Sequence, residues 1–317
     1  MKLLISVFLL IVTIQANTIK PYYSIEASGN VIDIVIVDDM LAVSTDRGTI
    51  EAYSITSKEQ IMLNQFPMIK DFMGDDIYPK VFSTDYLKLT KEYLAVVQGV
   101  SGSRELFIIK DNKKTRLISE KEKLFISKAK FVDDNHIMVA LLSNEYILFD
   151  IKKRKKIYSK HISYSHFSDF MLSVDKKTLV GSSESGEITV LNVKDGTIIK
   201  TLKGANVDNV YKVDIKNSKV LAAGQDRRGT VYDLGTGSYS RFDSNFLIYA
   251  GALSPSARLA AFAFTEDNDI VIFDILLNKR LYTLKGQKST LNSIVFIDEE
   301  NLVSGSDDKF IMMWKLK

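Results

Sequence analysis

The chain has three histidines, His136, His161 and His166. Imidazole is the usual general base and a frequent metal ligand, so these positions are the first to test for chemistry. His161 and His166 stand five residues apart across the gap between two strand-like segments, and His136 precedes a third. That spacing is not one by which a helix or a single strand presents a ligand pair. No Gly-x-Ser-x-Gly, His-Glu-x-x-His or phosphate-cradling glycine loop occurs. The chain has no cysteine, which rules out disulfides, thiolate metal sites, thiol nucleophiles and acylation of a lipobox cysteine. Asp71, Asp75 and Asp76 bring three carboxylates into one short stretch, yet they lack the full series of oxygen ligands that a calcium loop requires. The expectation is therefore a chain with no catalytic residues, no metal and no cofactor.

The elements that must carry these residues show themselves as a repeat. Alternating hydrophobic segments recur at Thr49–Ile55, Glu105–Lys110, Glu145–Ile151, Glu187–Val193, Gly229–Leu234, Asp269–Ile275 and Phe310–Leu316. Their ends are separated by 55, 41, 42, 41, 41 and 41 residues. A period of about 40–45 residues with several strands in each repeat marks a propeller blade. The sixth repeat reads as strands over Ile248–Ser254, Leu259–Phe264, Asp269–Ile275 and Arg280–Leu284, separated by turn-rich pieces. The last repeat stops after three strands, while Ile19–Glu26 is an orphan strand ahead of the first inner strand, Val31–Val37. Pairing the orphan with the open C-terminal edge would close the ring and leave no blade incomplete. The fold expected is an all-β, seven-bladed β-propeller.

Composition agrees. Hydrophobic residues make up 46% of the 317, charged residues 26%, and the formal net charge is only +3. The signs are interspersed, which argues against a nucleic-acid partner. Lys2, the apolar run Leu3–Ile14 and the small residue Ala16 have the layout of a secretory signal peptide. A run of this length falls short of the roughly 20 residues a membrane span needs. Residues 1–16 are thus expected to be a signal peptide and 17–317 a single domain, exported and monomeric, with no stable membrane insertion after cleavage; retention of the leader as an anchor is the alternative.

Ser304–Asp308 followed by Phe310–Trp314 resembles the strand pattern of the WD40 family, with Asp308 at the turn aspartate and the single Trp at the consensus position. Gln287 stands where that family carries a histidine, so the Asp–His–Ser–Trp hydrogen-bond set of the family is not expected here. The resemblance implies a protein-binding scaffold and no enzyme.

Sites on such a fold lie in the rim loops and the central channel. The step of 55 residues places an insertion around Phe66–Pro79, which should neighbour the glycine-rich turn Gln98–Arg104. Lys70, Asp71, Phe72, Met73, Asp75, Asp76 and Arg104 would together mix charge with apolar groups, as a partner-binding patch does. The alternative is that Phe72, Met73 and Ile77 tuck into the second blade while the aspartates form turns. The basic run Lys152–Lys156 reads as a solvated hairpin turn on the opposite face.

The export signal, the absence of cysteine and the phrase Ile69–Asp75 are similar to the NapL-type accessory proteins of periplasmic nitrate reductase. That resemblance implies a periplasmic location, a nitrate reductase component as partner, and a role in maturation of, or electron delivery to, that enzyme. Two other classes compete. A propeller hydrolase or lactonase would need a metal held by side chains converging from the inner strands, and Val31–Val37 and Leu291–Ile297 are mostly aliphatic. An outer-membrane assembly scaffold is often lipid-anchored, and there is no cysteine to acylate.

Overall fold

The computed structural model describes residues 17–316; the expected leader, residues 1–16, lies outside the described residues. Strand-forming segments rich in Val, Ile, Leu and aromatics are punctuated by tight turns in which residues such as Asp38, Lys91, Asn144 and Asn217 take positive φ. Their antiparallel pairing gives seven meanders, each of four strands. The first comprises Val31–Val37, Met40–Thr45, Thr49–Ser54 and Gln60–Gln65. The later inner strands are Val81–Leu87, Ile126–Phe131, Phe167–Leu172, Val210–Lys216, Gly251–Leu253 and Leu291–Phe296. Each inner strand touches the next, and the seventh touches the first, so the blades form a closed ring.

The core lies between blades. The buried apolar side chains fall into seven clusters, each drawing on two adjacent blades. Trp314, for example, is buried in a cluster that spans blades six and seven. Burying apolar area in this way contributes roughly 25 cal/mol per Å², which no blade could gain alone.

The ring closes as expected, with one difference. Tyr23–Glu26 pairs antiparallel with the last strand, Tyr23 opposite Met313 and Glu26 opposite Phe310, completing blade seven. The orphan segment is not one strand, however. Asn17–Ile19 lies parallel to Tyr282–Leu284 as a fifth strand on blade six. Pro21 separates the two pieces; it has no N–H to give to a ladder, and its fixed φ favours the break. The N-terminal segment therefore straps two neighbouring blades.

In six blades the inner strand carries a bulge after its first paired residue, which leaves Ile32, Phe82, Ser127, Ser168, Tyr211 and Asn292 out of register. A bulge re-aims the residues that follow it. The positions that follow include Asp33, Ser83, Lys128, Asp169, Lys212 and Ser293, and most of these line the central channel.

Candidate functional site

The long connection between blades one and two forms a small hairpin, Ile69–Lys70 paired with Asp76–Ile77. It touches the short 3-10 turn Val100–Gly102 between the middle strands of blade two. Asp71 sets the tip. Its Oδ1 accepts the backbone N–H groups of Met73 at 2.8 Å and Asp75 at 2.9 Å. Gly74 takes φ +89°, a conformation costly for residues with a Cβ. The turn is thus fixed by its own side chain, and what it projects is apolar: Phe72 is 96% exposed and Met73 81%. They do not tuck into blade two. Lys70 and Asp76 face each other across the hairpin at 2.9 Å, both largely exposed, a pair that contributes little to stability. Asp75 is exposed beside them.

Arg104 plays a different part. Its guanidinium lies 3.8 Å from the centroid of the Phe82 ring and donates to the Ile126 carbonyl at 3.0 Å. Burial lowers its pKa. It clamps blade two to blade three, whereas the other six residues of the expected patch belong to the hairpin.

Sequence reasoning missed the cleft beside the hairpin. This space of about 400 Å³ is walled by Phe66, Pro67, Ile69, Pro79, Val100 and Phe107. Phe66 and Phe107 meet edge to face at 5.1 Å. Lys114 lies over Phe66 and Arg116 over Phe107, and Arg116 pairs with Glu105 at 3.1 Å. Burial pushes the Glu105 carboxyl up against the pull of Arg116, and burial lowers the Lys114 ammonium. No local sequence pattern marks this cleft: Phe66 lies just past the strand Gln60–Gln65 and Phe107 in the middle of Arg104–Lys110, and only the pairing of blades one and two brings them together.

The channel also differs from the expectation of mostly aliphatic inner strands. That description suits blade seven, but Asp33, Lys128, Lys130, Asp169, Lys212 and Asp214 all line the channel. The carboxylates are occupied in joining blades. Asp33 accepts Thr84 N, Asp85 accepts Phe131 N, Asp169 accepts Val213 N and Asp214 accepts Leu253 N, at 2.8–3.1 Å. Each bond runs from the inner strand of one blade to that of the next. Lys128 pairs with Asp169 at 2.5 Å, both side chains being buried. Burial alone would lower the lysine and raise the carboxyl; the opposite charges prevail, so Lys128 is raised and Asp169 lowered. The residues that could have revealed this are charged positions inside otherwise apolar strands, which are costly to bury unpaired.

The hydrogen-bond set of blade seven requires a second correction. Trp314 Nε1 donates to Ser304 Oγ at 2.9 Å, Ser304 Oγ donates to Gln287 Oε1 at 2.8 Å, and Gln287 Nε2 donates to Asp308 Oδ1 at 3.0 Å. The chain of contacts forms with a glutamine in the histidine's place, because an amide supplies one acceptor and two donors.

The histidines do not converge. His136 bonds Asp133 at 2.9 Å, His161 lies against Tyr164, and His166 is exposed. Among the described residues no group of three or more His, Cys, Asp or Glu side chains is arranged to hold a metal, and no helix is long and apolar enough to cross a membrane.

No protein-family model matches the chain. It is 26% identical to Autophagy-related protein 16 of Arabidopsis thaliana over 167 residues, 51% of this chain and 32% of that protein. It is 28% identical to Apoptotic protease-activating factor 1 of Homo sapiens over 193 residues, 58% of this chain and 15% of that protein. The matches thus span less than a third of each curated relative. Among solved structures it is similar to the Cps50 (Swd1) β-propeller domain of Myceliophteria thermophila, with a TM-score of 0.74, 14% identity, and coverage of 94% of this chain and 99% of that one. Ring closure, blade count and this likeness agree: the chain is a seven-bladed β-propeller.

Proposed function

We propose that the protein is a non-catalytic scaffold that holds a protein partner on the face bearing the insertion between blades one and two. The observation that carries this reading is the hairpin tip: Asp71 fixes the turn with two hydrogen bonds while Phe72 and Met73 stand in solvent. Exposing two large apolar side chains on a preorganised loop serves no core, whereas it supplies the anchor residues that dominate interfaces at low ordering cost. The adjoining cleft adds an apolar recess rimmed by Lys114, Arg116 and Glu120.

The finer reading is an exported accessory factor acting in the periplasm on periplasmic nitrate reductase. Its support is the leader-like start of the chain and the likeness of Ile69–Asp75 to the NapL-type proteins. The test is capture of purified periplasmic nitrate reductase on the immobilised chain, repeated with Phe72→Ala and Asp75→Ala. Retention that is lost in the Phe72 variant supports both the partner and the site. Equal retention by all three chains removes the hairpin as the site, and no retention by the unaltered chain removes this partner.

A further inference from the structure

On the opposite face, between blades three and four, lies a groove of about 620 Å³. Its floor is aliphatic, made by Val132, Leu148, Ile157, Val193 and Ile199. Leu148 and Val193 belong to the buried core between these blades, while Ile157 is 48% exposed and Ile199 60%, so the groove presents uncovered apolar surface over that core. Tyr158 ties its two walls together, donating its hydroxyl to the Val193 carbonyl at 2.7 Å. The groove is a fixed feature of the blade junction.

Its rim is basic. Lys177 and Lys194 line it directly. The run Lys152–Lys156 forms the turn into the outer strand Lys155–His161, which carries Ile157. The carboxylates nearby are engaged in their own turns. Asp133 holds His136, Asp150 accepts the backbone N–H of Lys153 at 2.8 Å, Asp175 accepts the Ser173 hydroxyl, and Asp195 accepts Thr197. Lys177 reaches Asp175 only at 3.9 Å. These four carboxylates keep their charge, and Lys153 pairs with Asp150 at 3.3 Å, but the seven basic side chains of Lys152–Lys156, Lys177 and Lys194 outnumber them, so the apolar recess has a net positive rim.

We infer that this groove docks an extended acidic protein segment, with an aliphatic side chain entering the recess and flanking carboxylates meeting Lys177, Lys194 and the Lys152–Lys156 turn. Charge complementarity selects the partner's sign, and the aliphatic floor selects its side chain. A recess between two blades receives a single side chain, which a flat layer of lipid headgroups does not offer. The site lies on the face opposite the hairpin, so a chain using both would bridge two partners. It stands independently of the function proposed above.

The test uses the full chain and a panel of fluorescein-labelled 12-residue peptides in which Glu and Asp flank one Leu or Ile. Matched peptides carry Gln and Asn for the acids, or Ser for the aliphatic residue. Fluorescence anisotropy should show binding of the acidic, aliphatic members that weakens at least tenfold in Lys177→Glu/Lys194→Glu and in Ile199→Asp. Phe72→Ala should bind them unchanged, which separates this site from the hairpin. The inference is overturned if no acidic member binds, if the neutral peptides bind equally, or if phosphatidylserine vesicles sediment the chain while the peptides do not bind.

Discussion

Gln287 donates its amide to Asp308 at 3.0 Å from a position 96% shielded from solvent, given its 4% exposure. The same side chain accepts Ser304 Oγ, which in turn accepts the Trp314 indole. One glutamine thus links the turn between Asn301–Ser306 and Phe310–Lys315 of blade seven to the only tryptophan in the chain. Gln287→Leu should destabilise the fold by about 2–3 kcal/mol, because Ser304 and Asp308 lose buried partners. Gln287→His should stay within about 1 kcal/mol of the unaltered chain, since imidazole can again bridge the two. Urea denaturation of both variants checks this, and equal losses would show that the network needs the amide specifically.

The strap formed by residues 17–26 should govern the stability of the whole ring. Ile25 is buried in the cluster shared by blades seven and one, so Ile25→Ala should cost about 2–5 kcal/mol. Removing residues 17–26 would expose the edge of Phe310–Lys315 and should yield a chain that aggregates on concentration. Thermal melts and light scattering are the measurements. A truncated chain that stays monodisperse and melts normally would mean that blade seven does not depend on its fourth strand.

Acid should attack the channel. The Asp169 carboxyl is buried, which works to raise its pKa, but the charges of Lys128 and Lys212 and the Val213 N–H outweigh burial and hold it low. A carboxyl lowered on folding contributes stability that is fully present above its unfolded value, about 3.9. That stability disappears as the pH falls toward the folded value. Lys128→Met should cost about 3–5 kcal/mol at neutral pH, because Asp169 is left charged and unpaired. It should also flatten the acid limb of the stability profile, which circular dichroism from pH 7 to 2 would reveal.

Arg104 and Phe72 should separate cleanly. Phe72→Ala removes a side chain that touches almost nothing, so stability should change by no more than about 0.5 kcal/mol while partner capture is lost. Arg104→Ala deletes both the stacking on Phe82 and the bond to the Ile126 carbonyl, and should cost about 1–2 kcal/mol. Paired melting and capture experiments distinguish the two; a stability loss for Phe72→Ala would mean that the hairpin tip is part of the core after all.

Much of the architecture is a property of the sequence itself. The spacing of the strands ending at Ile151, Val193, Leu234, Ile275 and Leu316 follows from chain length per meander, and alternation tells which face of a strand is apolar. The insertion between blades one and two is visible for the same reason, as a departure from a fixed period. Tertiary structure decided how those pieces are used. Pro21 looks like an ordinary member of an orphan strand until the gap between blades six and seven gives its two flanks different neighbours. Asp33, Lys128 and Asp169 read as interruptions of apolar strands until bulges turn them into one channel, where each charge finds a partner from another blade. Arg104 and Phe72 differ in role because one reaches across a blade junction and the other does not. Periodicity is local and survives in one dimension, whereas pairing across blades depends on which distant residues the closed ring brings within a few ångströms.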